Sequence, residues 1–488
     1  MELRIANGII KGIKENGVYA FKGIPFAKPP AGKLRFMPPL PADDWFGSLD
    51  CTCYGLRPCQ NPPPWCEDRN IASYGEDCLN LNVWTPAPDS GKRPVAVNIF
   101  GGGHMEGSNS EIGSEGYRLA HGRDIVVVSP NYRVGALGYL YLGHLLGAQY
   151  AQSGSLGLLD QVLALQWVKK NISCFGGDPD QVTIIGQSAG GKSVASLMVS
   201  PAAKGLFHKA VAMSGALQSI TDIPTDMALA KNFLSALGLT EKNAVKLLSC
   251  PVKDILQAQE EADKTYFKAE SYGPTADGIS LPLDIGKYIQ EGNLPRIPVM
   301  IGHTLQELYL PLDADQRDIG DEGVSQKLRW KFGDNAPYVM KQYQKARSSL
   351  PYTSAYGKTA TEYTYVQACM RTAELFVSQG LPLWLYRWDF QGGYLANHSS
   401  DNEALFGRTN PAKLKKEPEA AAFVDRLFQD AVLSFIEEGR PHSPNLPEWK
   451  PCTGQGISRL LINQEPKMET LEKFDYDVDF PLQAFRLK

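Results

Sequence analysis

The residues "GQSAGGKS", Gly186–Ser193, follow the apolar run "QVTII" and fit two catalytic patterns at once. Read as G-x-S-x-G, they form a sharp turn that presents Ser188 as a nucleophile. Read as G-x-x-x-x-G-K-[ST], they form a phosphate-binding loop closed by Lys192 and Ser193. Both patterns require a strand before and a helix after, so local context does not separate acyl transfer from nucleotide binding. The remaining machinery that each chemistry needs is the better guide.

A phosphate loop needs an acidic residue at the end of a second strand to hold Mg2+. The candidate strands end in small residues, as in "AVAMSG" and "VVVSP", and the acid of "LWLYRWDF" follows Arg387 and Trp388 on a distant strand. Serine chemistry needs a histidine to take the hydroxyl proton, a carboxylate to orient it, and backbone N–H groups to meet the oxyanion. In an α/β-hydrolase these follow in the order Ser, acid, His. "NIFGGGHMEG" sets Gly101, Gly102 and Gly103 directly after a strand, where the missing Cβ lets N–H groups turn toward a ligand. A tight turn is the bland alternative for the same glycines.

Of the seven histidines, His303, His398 and His442 lie well downstream of the nucleophile. His398 sits in "GGYLANHSSDNEALFG", a loop after an apolar strand, where catalytic groups are commonly carried. His442, flanked by prolines in "RPHSP", reads as a solvated turn residue, and His303 lies too close to the acid candidate to be a separate arm. Glu307 in "VMIGHTLQELYL" follows a strand and a glycine. Asp277 in "TADGIS" competes, although Asp-Gly more often marks a turn.

The elements that must position these groups follow from periodicity. Residues 1–30 alternate around Asn7-Gly8 and Asn16-Gly17, the pattern of antiparallel hairpins. Apolar runs at 95–100, 124–130, 181–186, 210–215, 297–302 and 383–390 predict buried strands. Residues 157–172 and 419–439 carry helical periodicity, the second ending at Gly439. This alternation predicts an α/β fold with a mostly parallel sheet and a small antiparallel N-terminal region. Linkers such as "PCQNPPPWC" are too short to divide domains, so one domain over 1–488 with insertions is expected.

Composition narrows the partners. The chain has 488 residues, 43% hydrophobic and 21% charged, which is ordinary for a globular protein. A net charge of -4 offers no basic footprint for nucleic acid. No apolar run approaches the ~18 residues of a membrane span. "MELRIANGIIKGI" reads as a first strand rather than a secretory leader, so the cytoplasm is expected, with secretion the alternative if a leader was trimmed. Five of nine cysteines (Cys51, Cys53, Cys59, Cys66, Cys78) crowd together without paired C-x2-C spacing. Free thiols are favoured over a loop-closing disulfide, and a metal site ranks far below both. No cofactor is expected, and a monomer is favoured.

With these residues in place, the chain resembles the type B carboxylesterase (cholinesterase-like) family of α/β-hydrolases. "FKGIPFAKPPAGKLRFMPP", "EDCLNLNVWTP", "GGGH", "NYRVGALGY", "SLGLLDQVLALQWVKKNISCFGGDPDQVTIIGQSAGG" and "AVAMSG" occur in the family's order over nearly the whole chain. The resemblance implies hydrolysis of small-molecule esters through an acyl-enzyme. It implies Ser188 as nucleophile, Glu307 as acid, His398 as base, and Gly102, Gly103 and Ala189 as oxyanion-hole donors. Gln187 and Ser214 are expected to support the triad from behind. Ala189 opens a helix, whose dipole favours negative charge there. The match of Lys192 to a phosphate loop is then coincidence. The resemblance also implies two structural ion pairs, Arg35 with Glu76 and Arg133 with Asp160, and in the family the cysteine at Cys78 often bridges to one at Cys59.

Two positions depart from the family pattern. Gln187 stands where a glutamate is usual, and His104 where an aromatic residue follows the glycines. His104 predicts a polar pocket suited to an acidic or sugar-linked ester; filling aromatic volume is its bland rival. The competing functions are a non-catalytic binding protein of the same fold and, more remotely, a nucleotide binder. Lipase action would need an apolar lid, and residues 57–75 are short and polar for one.

Overall fold

Alternating side chains along buried strands face two separate cores in the computed structural model, which describes residues 1–488 except 63–72, 112–115, 265–271, 310–319, 394, 409–414, 454–455 and 488. On one strand Val95, Val97 and Ile99 join a core that holds Leu158, Val162, Leu165 and Val168. Ala96, between them, faces a second core with Val424, Leu427, Phe428 and Val432. A strand covered on both faces needs no polar side, which is why these runs read as continuously apolar. The two cores are supplied by the helices Leu156–Asn171 and Pro418–Glu438. The latter stops at Gly439, which takes the left-handed φ of 78° that a glycine adopts without strain.

The strands, in chain order, are β1 (Glu2–Ile5), β2 (Gly8–Lys11), β3 (Ile13–Glu15), β4 (Val18–Pro25), β5 (Ser48–Asp50), β6 (Asn80–Thr85) and β7 (Arg93–Ile99). They continue with β8 (Val126–Pro130), β9 (Gly177–Gln187), β10 (Lys209–Met213), β11 (Val299–Thr304), β12 (Leu383–Trp388), β13 (Ile457–Ile462) and β14 (Lys467–Leu471). An eleven-stranded sheet runs β14-β13-β12-β11-β10-β9-β7-β8-β6-β4-β3, and a small sheet runs β1-β2-β5. From β13 to β8 every neighbour is parallel. Antiparallel strands close both margins, β14 at one and β6, β4 and β3 at the other. This is the α/β-hydrolase architecture expected from the sequence, with the two predicted hairpins at the N-terminus.

Parallel pairing fixes where chemistry can be assembled, because all carboxyl ends of the central strands point the same way. In register, Ile99 of β7 pairs with Gly186 of β9, Gln187 with Met213 of β10, Met213 with Gly302 of β11, and Thr304 with Trp388 of β12. The glycine run, Ser188, Ser214, Glu307 and His398 all leave the sheet from this one edge. Helices over Ile223–Ala236, Val252–Asp263, Gly320–Phe332, Ala336–Arg347 and Tyr352–Thr361 are inserted beside it, whereas Gln367–Ser378, which leads into β12, packs into the first core through Ala368, Ala373 and Phe376.

The eight described cysteines are free thiols, Cys59 and Cys78 among them. Both line one cavity with Arg35, Glu76 and Arg133. Cys66, and most of the segment considered as a lid, lie outside the described residues.

Candidate active site

Ser188 stands between β9 and the helix Ala189–Met198, as the residue that caps the helix, with φ 60° and ψ −124°, a conformation that a non-glycine residue seldom adopts. Glycines on both sides make the turn possible. A Cβ on Gly190 would lie 2.0 Å from the carbonyl oxygen of Ile99, and one on Gly186 would lie 2.3 Å from Gly190. The turn is held by Ser188 N–H donating to Met213 O (2.9 Å) and Lys192 N–H to Ser188 O (2.9 Å). Strand and helix therefore touch backbone to backbone, and the serine is forced out at the apex.

Glu307 follows β11 and His398 lies in the loop after β12. Glu307 Oε2 is 2.5 Å from His398 Nδ1, and Glu307 Oε1 accepts the Thr304 N–H at 2.8 Å. His398 N–H also donates to Glu307 O at 3.3 Å. Burial opposes charge on Glu307, but the adjacent His398, Ser214 and the Thr304 N–H outweigh it, so its carboxyl stays below the ordinary range. Among the described residues, buried Ser214 Oγ makes no hydrogen bond of full geometry. The Glu307 contact assigns the proton of neutral His398 to Nδ1 and leaves Nε2 as the acceptor. At Nε2 stand two donors, Gln187 Nε2 at 3.3 Å and Tyr365 Oη at 3.5 Å. Among the described residues no hydrogen bond links Ser188 Oγ to His398; such contacts commonly tighten only when substrate binds.

The glycine loop carries positive φ at Gly102 (104°), Gly103 (63°) and His104 (58°). Gly102 O accepts from Met105 N–H and Glu106 N–H, while among the described residues no acceptor takes the N–H groups of Gly102, Gly103 or Ala189. A Cβ on Gly101 would lie 3.2 Å from Ser188 Cβ, so the loop reaches the serine. Its far end is clamped by Gln60, which accepts from Gly107 N–H (2.7 Å) and donates to Gly107 O (2.8 Å). Asn109 continues the clamp through Asn131, Asn80 and Asn82.

The alternatives weighed from the sequence take other places. Asp277 Oδ1 accepts from the N–H groups of Ile279 and Ser280, which is turn chemistry. His303 is buried on Thr304 O, and His442 meets Glu438 at the surface. His104 is fully buried, with Nδ1 3.3 Å from Tyr272 O and Nε2 3.3 Å from Ser193 Oγ, against Tyr139. Both nitrogens are engaged in core packing, so the polar-pocket expectation draws no support from its placement. Ser193 Oγ also accepts from Gln161, and the Lys192 side chain is 1% exposed, so neither forms an open phosphate cradle. Arg35 and Glu76 form a two-pronged pair at 2.7 Å, and Arg133 meets Asp160 at 2.7 and 2.8 Å.

Sequence reasoning missed Tyr365, Asp401, Gln60 and Asn109. Asp401, three residues after His398, is fully buried and accepts from Tyr386 Oη (2.7 Å) and Asn402 N–H (2.9 Å). Burial and the nearby Glu307 charge push its carboxyl up to about 6. The spacing from His398 was the only available signal for it. Tyr365 lies on an insertion with no motif around it.

Comparison with known proteins bears on the same geometry. A model of the carboxylesterase family matches residues 1–478. The para-nitrobenzyl esterase of Bacillus subtilis is 35% identical over 491 residues, covering 96% of each chain. A medium-chain fatty acyl-CoA hydrolase precursor from Anas platyrhynchos is 30% identical, covering 89% of this chain and 83% of that one. The crystal structure of a Geobacillus stearothermophilus carboxylesterase superposes with a TM-score of 0.85 at 33% identity, covering 96% of this chain and 98% of its own.

Proposed function

From a chain that belongs to the carboxylesterase family, and is thereby a carboxylic ester hydrolase, we propose a serine mechanism carried by Ser188, Glu307 and His398. The ester carbonyl is attacked by Ser188 Oγ as His398 Nε2 takes its proton. The tetrahedral oxyanion is met by the N–H groups of Gly102, Gly103 and Ala189, with the helix dipole behind Ala189. The C–O bond to the alcohol breaks, and its oxygen takes the proton from His398. Water then repeats the sequence on the acyl-enzyme, releasing the acid and regenerating Ser188. Glu307 stays ionised throughout, holds the imidazole by Nδ1 and compensates its positive charge.

The observation that carries this reading is the 2.5 Å contact of Glu307 with His398 Nδ1 on the sheet edge where Ser188 stands at the apex of its turn. Small-molecule esters are the substrate class, and the same reading takes 1–488 as one domain. Among the described residues no helix is long and apolar enough to cross a membrane. Hydrolysis of p-nitrophenyl acetate and butyrate by wild type and Ser188→Ala tests the mechanism, with phosphonate labelling and peptide mass mapping alongside. Loss of turnover by at least about 10^3-fold, with the label on Ser188, is expected. Full turnover in the variant, or a label elsewhere, would overturn it.

A further inference from the structure

Among the described residues Lys192 is one of the largest fully buried side chains, and the mechanism above gives it no task. It lies one turn into the helix that Ser188 caps. Its ammonium is 5.7 Å from the centre of the Tyr365 ring, within cation–π range. His398 also packs on that ring, with centroids 4.9 Å apart and planes tilted by 37°. Tyr365 Oη is 3.5 Å from His398 Nε2, the nitrogen through which every transferred proton must pass. Tyr365 belongs to the π-helical turn Glu362–Val366, an irregularity that recurs at functional sites.

A hydroxyl beside Nε2 is also beside whatever Nε2 protonates. In acylation that atom is the leaving alcohol oxygen. We propose that Tyr365, backed by Lys192, is a further catalytic residue that donates a hydrogen bond to the departing alkoxide oxygen, and that it suits the site to esters of unactivated alkyl alcohols. The C–O bond breaks with its electron pair going to the alcohol oxygen. His398 Nε2 delivers the proton to that oxygen, and Tyr365 keeps its own. Lys192 acts through the ring as a positioning residue: its charge holds the ring face and polarises the hydroxyl outward. A phenolate or nitrophenolate leaving group carries its charge without help and needs little of this. An alkoxide carries it poorly and needs it most. The inference rests on the serine mechanism proposed above.

The test is a leaving-group series on one acid: ethyl, trifluoroethyl, phenyl and p-nitrophenyl butyrate, with kcat/KM, which reports acylation, measured for wild type and Tyr365→Phe. The variant keeps the ring packed between His398 and Lys192 and removes only the hydroxyl. A hydrogen bond to a developing charge is expected to give a loss of about 10- to 100-fold for the ethyl ester. The p-nitrophenyl ester should lose less than about threefold. Lys192→Met should repeat the ranking with smaller losses. Equal losses across the series, or no loss, would overturn the proposal, because a merely structural tyrosine does not sense the alcohol. A Lys192→Met variant with the wild-type ranking would remove Lys192 from it. Ser188→Ala separates the two readings. If it still turns over ethyl butyrate, the serine mechanism itself has failed; if it is inactive while Tyr365→Phe loses evenly, only this inference falls.

Discussion

Two buried side chains beside the imidazole show how far a single residue can tune this site. Gln187 presents a neutral amide to His398 Nε2 where the family pattern has a carboxylate, so the base meets a donor instead of a counter-charge. Asp401 lies behind the base, and its carboxyl is raised from 3.8 to about 6 by burial and by Glu307. The sign of its contribution follows from linkage. Between about pH 4 and 6 the unfolded chain releases this proton while the native state retains it, so Asp401 lowers stability as pH rises through that window. Two units correspond to about 3 kcal/mol at pH 8. Asp401→Asn keeps the shape and an acceptor for Tyr386, so it should gain up to that amount at pH 8 and match wild type near pH 4. Urea unfolding across pH 4–8 checks this. Asp226, also raised, to about 7, contributes equally to both proteins and cancels in the difference. Parallel wild-type and variant curves would show that Asp401 ionises normally.

At the scale of elements, the strand that precedes the serine and the helix that follows it are set by glycines more than by side-chain packing. Gly190 leaves no room for a methyl group against Ile99 O, and the overlap is with backbone, which cannot rotate away. Gly190→Ala should therefore push the helix off the strand, destabilise the protein by about 3 kcal/mol or more, and abolish turnover. Thermal unfolding monitored beside esterase activity checks both halves. An active variant with an unchanged midpoint would mean that the turn has slack. These glycines were legible in the sequence because their spacing is a motif, and the central strands because burial on both faces leaves an unbroken apolar run. β6, "NLNVWT", does not read as a strand in the sequence because two asparagines interrupt its apolar pattern. They are buried and satisfied by distant partners, Asn80 by Leu56 O and Asn82 by Asn109 O. The insertions that supply Tyr365 were illegible for a related reason. Their helices are defined by packing against other insertions, as Val324, Leu328, Val339 and Tyr363 do in one separate core.

The whole molecule is closed by residues far apart in sequence. The sheet begins at β3 and ends at β14, so both halves of the chain share one hydrogen-bonded ladder, which supports our reading of a single domain. Across the top, Arg133 holds Asp160 through both Nε and Nη2, and its third nitrogen donates to Met37 O at 2.8 Å. Asp160 also accepts the backbone N–H of Arg133, so this pair ties the segment after β8, the helix Leu156–Asn171 and the N-terminal region together. Arg35, which lines the same cavity as Arg133, does the same by reaching Glu76 and the carbonyl of Cys250. The Arg133–Asp160 pair is almost fully withdrawn from water, at 4% and 0% exposure. The net worth of such a pair is small, because desolvation offsets attraction, but removing one partner strands the other. Arg133→Met should thus destabilise by about 3–5 kcal/mol. Adding Asp160→Asn removes the stranded charge while keeping an acceptor for the Arg133 position's N–H, so the double variant should be more stable than the single one. Denaturant midpoints of wild type, both single variants and the double variant measure this directly. Additive losses would mean that the two side chains stabilise the fold through separate contacts, and the pair would cease to explain how three distant segments are held over the sheet edge that carries Ser188.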